Sequence, residues 1–164
     1  MNTLFKLITL PAMRVASFHV RDSETPEEIA RAELMRWAEP RGVFDHPFVH
    51  QVFGRNHPMP VNNPVRRGYE FLLSLADDTD TTGVPTRELA GGLYVVVQSR
   101  GLQQMQAHHA SIMQWISDST DYTYGYPEDY DYAHLPSLEL EHHIDPLARV
   151  PLIDYYFPIR RLAG

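Results

Sequence analysis

Glu139 and Glu141 stand two residues apart in the string Ser137–His143 (SLELEHH). In an extended strand that spacing puts both carboxylates on one face, with Leu138 and Leu140 on the other. A carboxylate held out of water is costly unless a cation or hydrogen bonds satisfy it, so an enclosed pair would recruit a cationic ligand. His143 falls on the Glu141 face by the same count. Tyr69 and Phe71 likewise share a face of their own strand, and such rings add cation–π attraction. The bland alternative is two solvated carboxylates on an exposed sheet face.

The segment Asp118–His134 carries Tyr122, Tyr124, Tyr126, Tyr130 and Tyr132 among several acids. It reads either as an acidic, aromatic mouth for cations or as a surface loop with wet hydroxyls. Nine histidines raise the question of a metal. However, the pairs His108-His109 and His142-His143 are sequence neighbours that point to different sides, cysteine is absent and no HExxH occurs. No metal and no cofactor is expected. Asp77–Asp80 opens like a calcium loop, but Gly83 is misplaced and no glutamate closes it. Ser111, Ser117 and Ser137 lie in no nucleophile elbow, and Gly91-Gly92 precedes no phosphate-binding helix.

Positioning these groups requires a sheet and two helices. Met13–Val20 reads as a strand with one buried face, and the opening MNTLFKLITLPAM as an edge strand. Thr25, Pro26, Glu27 and Glu28 form a helix start. Ile29, Ala30, Leu34 and Trp37 then recur at helical spacing until Gly42. Phe48–Phe53 alternates as a strand, Gly54–Pro64 is a proline-rich loop, and Tyr69–Leu75 is a further strand. The order then repeats. Leu89–Ser99 is β-rich, Leu102–Ser119 is helical through Met105, Ala110, Ile112, Met113, Trp115 and Ile116, and Ser137–His143 and Leu152–Ile159 close the chain as strands.

Trp37 falls on Trp115 and Met35 on Met113, so the two halves echo each other. The expectation is one α+β domain over residues 1–164, a duplicated βαββ with half-repeats near 4–75 and 89–161. Its sheet would be mostly antiparallel, with two main helices and a ligand groove where the halves meet.

Composition limits the function classes. Hydrophobic residues make up 43% and charged residues 21%, as in an ordinary globular protein. A net charge of -7 argues against a phosphate-backbone binder, and no segment is left over for a DNA-reading element, so no direct nucleic-acid partner is expected. The absence of cysteine makes a reducing cytoplasm the default location. The apolar N-terminal stretch is too short for a membrane span.

Six strings in order resemble one known family. They are HQVFGRNHPMP (His50–Pro60), RRGYEFLLSL (Arg66–Leu75), LAGGLYVVVQSRG (Leu89–Gly101), SIMQWISDS (Ser111–Ser119), LELEHHIDP (Leu138–Pro146) and YYFPIRR (Tyr155–Arg161). Together they resemble the GyrI-like small-molecule-binding domain, the effector-binding part of many AraC-type and MerR-type transcription regulators, in its standalone form. The resemblance implies an aromatic groove with a central glutamate, which the match of LEEH to Leu140–His143 places at Glu141. It puts Tyr69 at the tyrosine of the GYE strand and Tyr94 at that of the GGLY strand. The implied ligand contacts are Glu141, Tyr69, Phe71, Tyr94, Glu139, His143 and Tyr156. Two departures change pocket polarity and size: His142 replaces a family glutamate, and His109 stands where tryptophan is usual. The implied function is binding of a hydrophobic small organic molecule, cationic or neutral, for sensing, sequestration or transcriptional regulation. Two alternatives stay open. One is hydrolysis of a cyclopropane-type natural product with Glu141 as acid/base; the other is an interaction with a protein partner of the gyrase-inhibitory kind.

Overall fold

The computed structural model describes residues 5–62 and 64–162. The first residues of the expected edge strand and the start of the first half-repeat, residues 1–4, lie outside them. The strands are β1 (Lys6–Leu10), β2 (Met13–Ser23), β3 (Val52–Asn56), β4 (Arg67–Ser74), β5 (Thr86–Leu89), β6 (Gly92–Arg100), β7 (Tyr122–Tyr124), β8 (Leu140–His143) and β9 (Leu152–Arg161). The helices are α1 (Pro26–Ala38) and α2 (Gly101–Asp118). The fold is α+β, as the alternating patterns require.

The strands form one sheet in the order β1-β6-β9-β8-β3-β4-β2-β5, with β7 beside β9, and every described pairing is antiparallel. Read outward from the centre, β8-β9-β6 mirrors β3-β4-β2. Each half contributes a strand, a helix and two more strands, and the halves meet where β3 pairs β8. The central register sets Gly54 opposite both Glu141 and Phe71.

Both helices cover the same face. On α1, Ala30, Leu34, Trp37 and Ala38 pack on Ala16, Phe18, Tyr69, Phe71 and Leu73. On α2, Ile112 and Ile116 pack on Val95, Val97, Tyr155, Phe157 and Ile159. Full burial of a Leu, Ile or Phe side chain contributes about 1.5–3 kcal/mol, so these two clusters anchor the helices. Ile29 and Met113, which the helical spacing counts as apolar positions, are 42% and 40% exposed. The opposite face buries Leu10, Val15, Phe53, Leu72, Tyr94, Leu140 and Tyr156 together. Only Pro11 and Ala12 separate β1 at one sheet edge from β2 beside the other, so the two edges curl toward each other around this second core.

Several boundaries differ from the sequence reading. Phe48 is 97% exposed and precedes the strand, because Val49 and His50 donate backbone hydrogen bonds to the His46 carbonyl and hold a turn. The strand runs instead over Val52–Asn56, taking in residues read as loop. Glu139 precedes β8, since its N–H bonds the Ser137 hydroxyl in a local turn. Thr25 occupies the N-cap of α1 without a side-chain cap bond, while Pro26 takes the first helical position. No helix among the described residues is long and apolar enough to cross a membrane.

Candidate ligand-binding site

Between the two helices the sheet face is floored by β4, β3, β8 and β9, and there the candidate carboxylate lies. Glu141 is the cross-strand partner of Tyr155 and of Gly54, so all three positions belong to the helix-bearing face. Tyr69 crosses over β3 to donate its hydroxyl to Glu141 Oε2 at 2.8 Å. Gly54 makes that crossing feasible, since a Cβ there would overlap the Tyr69 hydroxyl. The Glu141 side chain is 16% exposed, enclosed yet reachable.

No arginine or lysine among the described residues pairs with Glu141. Its one charged-type neighbour within ion-pairing distance among the described residues is His143, whose Nε2 lies 3.8 Å from Oε2, too far for a hydrogen bond. That nitrogen is buried without a hydrogen-bond partner. Burial, aided by the charges of Arg31 and His142, lowers the His143 pKa to about 4, so the ring is neutral at neutral pH. Burial raises the Glu141 pKa against the lowering effect of the Tyr69 hydroxyl, and Glu27 and Glu139 push it further up. Tyr69 itself is pushed well up, by burial and then by Glu141, so it remains a donor.

Glu139 sits beside this pair and is also served by tyrosines. Tyr124 donates to Oε1 at 3.1 Å and Tyr155 donates to Oε2. Both phenols are pushed upward by burial and by the Glu139 charge. On the α2 side a cavity of about 330 Å³ is lined by Met105, Gln106, His109 and Tyr155. His109, where the resemblance implies tryptophan, faces that cavity with a smaller ring.

The structure thus brings Glu141, Glu139, Tyr69, Phe71 and His143 to one face, with the Phe71 ring 5.1 Å from Tyr69 and 5.2 Å from His143. Tyr94 and Tyr156 do not join them. They lie on the opposite face, 5.7 Å apart and packed with Phe53 and Leu140, because Glu141 pairs with Tyr155 and its neighbour Tyr156 must point the other way. Sequence reasoning missed Tyr155, Tyr124 and Gly54 as parts of the site. The two-residue period of β9 carried the signal for Tyr155 once its register with β8 was known. The tyrosine-rich segment is mostly not a wet mouth. Tyr126 is buried, bonding the Ser137 hydroxyl and the Leu138 N–H, and the Tyr130 and Tyr132 rings pack against it, the first edge-to-face.

A second buried carboxylate also went unread. Glu70 on β4 is fully buried on the opposite face, and its oxygens accept from Ser17, Arg55 and His57 and pair with Arg87. Burial alone would raise its pKa, yet His57, Arg55, Ser17 and Arg87 hold it at about 2. His19, His57 and Glu70 offer ligand atoms within 4.8 Å of one another. Those atoms are already engaged, His19 Nε2 with the His57 carbonyl and Glu70 with its four partners. The cluster reads as a hydrogen-bonded ion network.

Comparison of the coordinates with solved structures decides the fold. The C-terminal domain of EcmrR matches with a TM-score of 0.60 and 15% identity over 99% of this chain and 100% of that one. The chain has the GyrI-like fold. EcmrR in its DNA complex matches at 0.61 and 14% identity over 97% of this chain, which spans 58% of that protein. SAV2435 bound to tetraphenylphosphonium matches at 0.51 and 12% identity, over 96% of this chain and 94% of that one. A hydrolase from Listeria innocua matches at 0.61 and 12% identity, over 95% and 91%. No family model and no curated protein matches the sequence. The superpositions establish the shared fold, and at identities this low the ligand is left to be argued from the site.

Proposed function

We propose that this GyrI-like chain binds a hydrophobic organic cation in the cleft between α1 and α2. The carrying observation is the enclosed Glu141 carboxylate, which has one tyrosine hydroxyl and, among the described residues, no cationic side chain to neutralise it. A ligand bearing positive charge supplies the missing counter-charge, and the Tyr69 and Phe71 rings supply apolar and cation–π contact. The tetraphenylphosphonium carried by SAV2435, a protein of the same fold, is a ligand of this chemistry. Glu139 adds a second negative charge to the same face, while Tyr124 and Tyr155 hold it in place. The physiological role is sensing or sequestration of such compounds.

Calorimetric titration with tetraphenylphosphonium tests the reading, with neutral triphenylphosphine oxide as control. Glu141→Gln weakens the phosphonium by about tenfold, the worth of one charge-assisted contact, and leaves the neutral compound unchanged. Equal phosphonium affinity in both proteins contradicts the proposal.

A second reading rests on the pair Glu141 and His143. A polar atom can bond both Oε2 and the unpartnered Nε2 across their 3.8 Å gap, and a carboxyl with raised pKa suits general acid/base work on bound water. The Listeria innocua hydrolase shares the fold. Turnover of a strained electrophile such as an activated cyclopropane, followed by mass spectrometry and lost in Glu141→Gln, would favour this reading over plain binding.

A further inference from the structure

A further cavity lies away from the cleft, at the outer edge of β2 where β5 has ended. It measures about 560 Å³ and is lined by Arg21, Arg36, Arg41, Arg87, His19 and Glu33, with Trp37 and the turn Gly83–Pro85 closing it. Four arginines and one glutamate line it, and although Arg87 also serves Glu70, the remaining three are a concentration of positive charge in a chain whose net charge is -7.

Two of these arginines are held in place and two are free. Arg41 stacks 4.4 Å over the Trp37 ring and donates to the carbonyls of Trp37 and Thr82. Arg87 is tied at 3.1 Å to Glu70, the floor of the buried ion network. Arg21 and Arg36 have no ion-pair partner among the described residues, and Arg36 is exposed. The strand edge adds a donor. The Ser17 N–H reaches the Pro85 carbonyl, and by the two-residue period His19 presents its N–H to the same side, beyond the last residue of β2 that β5 pairs.

A guanidinium is a planar fork of donors that grips tetrahedral oxyanions in bidentate fashion, and its charge does not titrate away. A volume of this size suits a small organic ligand. The acidity of the remaining surface opposes a long polyanion such as nucleic acid. We propose that this cavity is a second binding site, independent of the cleft, for a small organic molecule bearing two or more phosphate groups. Arg41 and Arg87 form its fixed walls, and Arg21 and Arg36 close on the ligand.

Titration of inorganic pyrophosphate into the full chain at low ionic strength tests this, with citrate and a single-stranded oligonucleotide as comparators. One saturable pyrophosphate site is expected, weakened about tenfold in Arg36→Glu. It tightens in Glu33→Gln and is unchanged in Glu141→Gln. Arg160→Glu, an equal charge reversal at an exposed position on the other half of the sheet, leaves it unchanged. Circular dichroism confirms that each variant folds. The proposal is overturned by absence of a saturable site, or by equal weakening in Arg36→Glu and Arg160→Glu. Citrate binding as tightly as pyrophosphate removes the phosphate assignment, and preference for the oligonucleotide replaces the small ligand with a nucleic acid.

Discussion

Glu70 and Glu141 sit in neighbouring parts of one sheet, on opposite faces, and both are withdrawn from water. Around Glu70 the chain has assembled Arg55, Arg87, His57 and Ser17, so the charge is neutralised and its pKa falls to about 2. Around Glu141 it has assembled a tyrosine hydroxyl and a neutral histidine, so burial prevails and the pKa rises. The difference separates a carboxylate completed by folding from one left to be completed by something else. A buried charge with its full set of partners is structural; one with part of the set is poised for a ligand.

Substitutions can break this comparison directly. Glu70→Gln strands Arg55 and Arg87 without a counter-ion and lowers stability by about 3–5 kcal/mol in denaturant unfolding. The matching acid titration has a defined sign. With its folded pKa at about 2 against an ordinary 4.5, Glu70 contributes stability above pH 4.5 that is lost as pH falls toward 2. The wild type therefore loses stability over that window and Glu70→Gln loses less. If the two acid limbs coincide, the network is not what holds Glu70 charged.

Gly54→Ala is the next largest effect. A methyl group there displaces the Tyr69 ring from its path to Glu141, costing about 1–3 kcal/mol of overpacking. It also weakens tetraphenylphosphonium binding, as calorimetry would read. Unchanged stability and affinity would mean that the tyrosine approaches Glu141 by another route.

Glu141→Gln is the smallest and has the opposite sign. Because the folded pKa is raised, Glu141 stabilises fully only below its ordinary value and that contribution is lost as pH rises through the folded pKa. The amide removes this loss, so the ligand-free variant gains on the order of 1 kcal/mol at neutral pH by thermal unfolding. A loss of stability there would place Glu141 with Glu70 among the structural carboxylates.

Much of the architecture was legible because alternation and helical spacing are local signals. Strand parity put Glu139, Glu141 and His143 together, and separately Tyr69 with Phe71. It does not relate one strand to another. Whether Tyr155 or Tyr156 shares the Glu141 face depends on register, and the β8–β9 pairing selects Tyr155. The Glu70 network was hidden for a related reason. Its partners Arg55 and His57 fall in a stretch whose asparagines and prolines read as loop, although Arg55 lies in β3 directly opposite Glu70. Phe48 illustrates the converse, an alternating pattern that a hydrogen-bonded turn keeps out of the sheet.

The most direct measurement is carboxyl NMR of Glu141, titrated in the free protein and again with tetraphenylphosphonium bound. The account predicts a free-state pKa above 4.5 that drops when the cation binds. An ordinary value that ignores the ligand would contradict it.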